Sequence, residues 1–150
     1  MLRLRTIAHA MKSRLEEIPE LQGKVVVFFR ANVGTEFEKR MTKTRGRAVI
    51  IRLLTGQNTG GKAKTSFYVG NYAVDLFTVP LLTQKDIKDA DDLMTEIEEK
   101  LQGWWPPEVP SNRSMYITCG SVTFEAATGR DGAVYDVATL TAQAPGNLIS

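Results

Sequence analysis

Gly56-Gln57-Asn58-Thr59-Gly60-Gly61-Lys62-Ala63 is the stretch of this chain that comes nearest to a chemical motif. A phosphate-binding loop needs Gly, four residues, Gly-Lys and then a hydroxyl residue to ligand magnesium. Ala63 supplies no hydroxyl. Such a loop also opens a helix whose amides face the phosphate, whereas Thr65-Ser66-Phe67-Tyr68-Val69 reads as a strand. A flexible hairpin loop is the better account. His9 is the single histidine, and no metal-ligand spacing surrounds it. On a helix its neighbours include Arg5, Thr6, Lys12 and Ser13, so it should face solvent. Cys119 lies in an apolar strand pattern with no second histidine to activate it, and reads as a structural thiol. Asp86, Asp89, Asp91 and Asp92 suggest a divalent cation, but a helix points them in several directions. A solvated acidic face fits them better. No catalytic, metal-binding or cofactor-binding residue emerges.

The element that carries those carboxylates is the clearest in the sequence. Ile87, Ala90, Leu93/Met94, Ile97 and Leu101 recur at the spacing of one buried helix face. Asp86, Asp89, Asp91, Asp92, Glu96, Glu98 and Glu99 occupy the other faces. Thr83 with Asp86 forms a capping-box-like start. Gly103 stands where a helix end needs positive φ, and Pro106-Pro107 forbids continuation. Trp104 and Trp105 follow that end. Two roles fit them, closing the edge of the core or anchoring a neighbouring subunit.

Around this helix the chain reads as one domain, residues 1–150. Leu4, Ile7/Ala8, Met11, Leu15 and Ile18 make a helical stripe limited by Pro19. Val25–Phe29 and Ala48–Leu54 are strand runs on either side of a long basic loop, residues 30–47, in which Thr35 with Glu38 could cap one short helical stretch around Phe37–Met41. Residues 55–64 have the composition of a mobile hairpin tip. Ser66–Val79 is strand-like, with Tyr68, Tyr72, Val74 and Leu76 sharing a buried parity and Gly70-Asn71 marking a bend or bulge. Met115, Ile117 and Cys119 alternate, then Val122, Phe124 and Ala126 alternate in the opposite phase. Gly120-Ser121 should absorb that change as a bulge. Thr128–Gly132 is a hairpin turn, Val134–Ala142 the last strand, and residues 145–150 a frayed tail. The expected order is α-β-β-β-α-β-β. The expected class is α+β, two main helices on a mixed, mostly antiparallel sheet, with loop-joined strands as antiparallel neighbours.

Composition excludes some classes. The chain is 43% apolar and 24% charged, as soluble domains are. A single cysteine excludes an internal disulfide. No run of about 18 apolar residues exists to cross a membrane, and Met1–Ala10 lacks the apolar core of a secretory signal. The net charge of +2 hides segregation: residues 30–64 carry a net +7 and residues 65–100 a net −5. Complementary blocks suit self-association, a positive block suits nucleic acid, and two unrelated solvated surfaces would also produce the pattern.

The layout resembles the tail terminator (tail completion, minor tail protein) family of long-tailed bacteriophages. The resembling features are the helix Leu4–Ile18 closing on Ile18-Pro19-Glu20-Leu21, the run Lys24–Phe29, the long strand Tyr68–Pro80, the helix Asp86–Leu101 closing on Gly103-Trp104-Trp105-Pro106, and the final hairpin around Gly129–Gly132. The resemblance covers nearly the whole chain and is one of pattern rather than of an invariant motif. It implies a non-enzymatic virion protein whose ring, usually a hexamer, caps the tail tube, stops its polymerisation and joins tail to head. The implied partners are other copies of the chain, the tail-tube protein and a head-completion or connector protein. Genomic DNA would pass through the lumen without specific binding. Its expected location is the host cytoplasm during assembly and then the virion tail, with no membrane and no cofactor. Combined with the charge pattern, this makes Arg40, Lys43, Arg45, Arg47, Lys62, Lys64, Asp92, Glu96, Glu99 and Trp105 the candidate contacts to neighbouring or tube subunits. A small nucleic-acid-binding module using residues 30–64 is the alternative. A nucleotide-dependent enzyme is the third reading, opposed by Ala63.

Overall fold

The computed structural model of the chain describes residues 4–28, 47–60, 67–78, 90–109, 116–128 and 134–145. Helix α1 (Leu4–Leu15) leads through a 3-10 turn at Pro19–Leu21 into β1 (Val25–Phe28). Strands β2 (Arg47–Gly60) and β3 (Phe67–Thr78), helix α2 (Ala90–Leu101), and strands β4 (Thr118–Thr128) and β5 (Val134–Pro145) follow. The strands form one sheet in the order β1-β2-β3-β5-β4. This is the expected α+β class and element order.

Both helices lie on one face of the sheet. Ile7, Ala8, Met11 and Leu15 of α1 join Leu93, Met94, Ile97 and Leu101 of α2 in one buried cluster. The sheet contributes Val49, Ile51, Tyr72, Val74, Leu76, Leu140 and Ala142, side chains that the alternation of strands sends to a single face. The parity expected for Tyr72, Val74 and Leu76 is therefore present. On the other face Ala48, Ile50 and Phe77 form a smaller buried cluster, so the centre of β3 is buried on both sides.

Three expectations change. Strand β2 does not stop at Leu54 but continues to Gly60, paired along β3 with breaks in register. Loop-like residues there become strand because β3 offers a ladder to pair with, and pairing outweighs a weak local preference. The interruption in this hairpin is not at Gly70-Asn71. It lies in the facing strand, as register shifts between Leu53 and Thr55, opposite Tyr72 and Asn71, and between Asn58 and Gly60. Gly70 answers a different need. A Cβ there would lie 2.7 Å from Leu4 Cδ2 and 2.8 Å from Tyr72 Cε2, while one on its partner Gly56 would lie 2.6 Å from Leu4 Cδ1. The paired glycines let the start of α1 sit directly on the hairpin. Third, β1 and β2 are parallel rather than antiparallel. A parallel pair needs a long connection, which residues 29–46 are long enough to provide.

Other expectations hold. Gly103 has φ +75° at the end of α2. The register of β4 on β5 slips between Cys119 and Val122, which is the bulge at Gly120-Ser121. The proposed cap Thr83 and the carboxylates Asp86 and Asp89 lie outside the described residues, as do the 61–66 tip and most of loop 30–47.

Candidate functional site

Helix α2 is held at both its faces and its end. Leu93, Met94, Ile97 and Leu101 are buried. Asp91 and Asp92 occupy its first turn, where the helix dipole favours negative charge. At the other end the Gly103 N–H donates to the Ile117 carbonyl (2.9 Å), and the Ile117 N–H donates to the Trp104 carbonyl (2.9 Å). The helix end is thus stitched to the residue preceding β4. From α1, Arg14 reaches across: its Nε donates to the Lys100 carbonyl (3.0 Å), one of the carbonyls a helix leaves without an internal partner. Its guanidinium lies 5.2 Å from the Trp104 ring centroid, and Nη1 meets Glu17 Oε2 at 3.2 Å. Trp105 is half-buried against the core, and its Nε1 donates to the Val109 carbonyl (3.1 Å).

The acidic side chains separate to the two flanks of this fixed helix. Glu96 and Glu99 line an open cleft of about 400 Å³ with Arg14, Glu17 and Lys100, towards α1. Asp91 and Glu98 line a second one, about 420 Å³, towards Val122 and Phe124 of β4. Asp92 is exposed, and Glu96 is half-buried. Of the expected basic contacts only Arg47 is described, and its position differs from that expected. It is not part of a loop but opens β2, where it is 7% exposed. Burial lowers its pKa, with the Glu20 carboxylate acting in the opposite direction. Arg40, Lys43, Arg45, Lys62 and Lys64 lie outside the described residues.

No protein-family model and no curated protein matches the chain.

The phosphate-loop candidate does not keep its geometry. Gly56 through Asn58 and Gly60 pair along β3, so the first glycine of the motif and three of the four residues after it are held in a strand. Among the described residues no group of three or more His, Cys, Asp or Glu side chains could hold a metal ion. His9 is exposed. Burial and the nearby Glu98 carboxylate push the Cys119 thiol up to about 11, which keeps it protonated and unreactive near neutral pH.

One polar network was missed in the sequence. On the face away from the helices, Arg52 Nε and Nη2 donate to Asp75 Oδ2 (2.5 Å) and Oδ1 (3.2 Å), and the Thr139 hydroxyl donates to Oδ1 (2.7 Å). Beside it Asn71 donates to Thr55 (2.8 Å) and accepts from Gln143 (3.0 Å). Asp75 is the only charge in β3. A lone carboxylate in an apolar strand signals a buried partner, but naming Arg52 required the β2–β3 register.

Proposed function

We propose that this protein is a non-enzymatic structural protein that works as an oligomeric ring, capping a phage tail tube and joining it to the head. The observation that carries the reading is the self-complementary charge pattern. A net −5 in residues 65–100 includes the exposed Asp91, Asp92, Glu98 and Glu99 on a helix fixed at its end. The same chain carries a net +7 in residues 30–64, or +5 once the buried Arg47 and the Asp75-bonded Arg52 are set aside. One subunit's acidic flank meeting the next subunit's basic segment is a heterologous contact, and such contacts close into rings when the rotation permits. The resemblance to tail terminators rests on the element order expected of the sequence, and that order is the one the fold has. Tube and head-completion proteins are the further partners that reading brings.

Mass measurement in solution at low and high salt, alone and with tube protein, tests this. Ring-sized particles that weaken with salt are expected. A monomer that stays monomeric in both settings would contradict it. The nucleic-acid alternative draws on the same basic block and, like the ring reading, does without Arg47, which is buried, and Arg52, which is bonded to Asp75. Its signature would be steeply salt-dependent DNA binding that weakens when Arg45 is reversed to Glu.

A further inference from the structure

Strand β4 is one edge of the sheet, and among the described residues no strand pairs with its outer side. Such an edge offers a row of N–H and C=O groups for pairing unless lysines, prolines, bulges or strong twist guard it. The bulge at Gly120-Ser121 guards only the start of β4. From Val122 to Thr128 there is no lysine or proline, and Glu125 is the one charge. Thr123, Phe124, Glu125 and Ala126 are all exposed, and Phe124 is 62% exposed, the most of any large apolar side chain described.

Phe124 also belongs to the groove between β4 and α2. Met94 and Val122 form its more buried side, and Asp91 and Glu98 are its charged lining. Among the described residues no cation pairs with either carboxylate. The two stand seven positions apart on α2, about 10 Å along a helix axis. A strand added beside β4 would turn every second side chain towards the groove. On that strand, same-side residues four positions apart would be separated by about 13 Å. Long lysine or arginine side chains cover the difference. The groove therefore fits an extended segment of the pattern cation, any residue, apolar residue, any residue, cation. Carboxylates at the outer two positions would instead face Asp91 and Glu98 as like charges.

We propose that the β4 edge docks an extended basic segment of another protein as an added strand, with its apolar residue on Phe124 and its flanking cations against Asp91 and Glu98. Backbone pairing supplies affinity, and the groove selects side chains at alternate positions, as in strand addition generally. The inference goes beyond the assembly reading and does not depend on it, because a monomer exposes the same edge.

The probe is a fluorescently labelled peptide, Thr-Lys-Thr-Val-Thr-Lys-Thr, titrated with the protein at low salt and read by anisotropy. A second peptide carries glutamate in place of both lysines. Two further forms of the first are N-methylated on the backbone, one at even and one at odd positions. A paired strand turns only one of those sets of N–H groups to the edge, so only one methylated form should lose binding. The lysine peptide should bind at least about tenfold more tightly than the glutamate peptide. Phe124→Ala should weaken it about tenfold, and Asp91→Lys/Glu98→Lys should reverse the preference. Circular dichroism checks folding, which Phe124→Ala should leave intact because the ring is exposed. No binding at millimolar peptide, or binding unchanged by Phe124→Ala, would overturn the proposal. Equal binding of both methylated forms would also overturn it, since charge attraction alone would then be at work. So would self-association that Phe124→Ala abolishes while the peptide fails to bind, which would give the edge to a second copy.

Discussion

Cys119 and Tyr72 show how much a single position depends on its surroundings. The Cys119 thiol sits at about 11 because burial and Glu98 both disfavour the thiolate. Its unfolded value is near 9.0. The folded value is the raised one, so this contribution to stability is complete below pH 9 and is lost as pH rises through 11. The alkylation rate of the native protein should therefore climb with a midpoint near 11, and that of the unfolded protein near 9. A native midpoint at or below 9 would contradict the burial of this thiol. Tyr72 is fully buried, and its hydroxyl donates to the Leu4 carbonyl at 2.7 Å. Burial raises its pKa above the ordinary tyrosine value. Tyr72→Phe removes this hydrogen bond, leaving the carbonyl its helical partner, and should cost about 1 kcal/mol in denaturant unfolding. The character of these residues was partly legible in the sequence: parity marked Tyr72 as buried, and the apolar alternation around Cys119 marked a structural thiol, which is half-buried. The pairing of Arg52 with Asp75 was not, since it joins residues 23 apart through a strand register.

Among the elements, the start of α1 and the end of α2 are the two joints that position everything else. At the first, Gly56 and Gly70 make room for Leu4. Gly70→Ala would meet both Leu4 and the ring of Tyr72, which is buried and cannot swing away. Gly56→Ala would meet only the tip of Leu4. Gly70→Ala should therefore destabilise by roughly 1–3 kcal/mol, and Gly56→Ala by less, as measured by thermal or denaturant unfolding. At the second joint, Arg14→Lys keeps the charge but loses the planar group over Trp104 and the Nε–H to Lys100. It should cost about 1 kcal/mol and change tryptophan fluorescence, because lysine does not replace a stacked guanidinium. The sequence disclosed the helices through their apolar period, the end of α2 through Gly103, and the β4 bulge through a phase change. It concealed the last six residues of β2, because Thr55–Gly60 has loop composition and becomes strand only by pairing with β3. The parallel β1–β2 pair was concealed for the same reason: strand direction is decided by tertiary pairing, not by either strand's own residues.

For the whole molecule, the assembly account joins a rigid acidic helix and a basic segment within one chain. Charge segregation could be counted in the sequence, but the sequence placed Arg47 among the outward contacts. The structure instead buries it at the head of β2. The sequence also gave Phe124 a place in an alternating strand without showing that the strand is an edge. The central claim is that copies of this chain close on themselves. A negative-stain image of the purified protein, alone and with tail-tube protein, tests that most directly. The account predicts uniform rings with a central hole, whereas compact single particles of monomer size in both samples would contradict it.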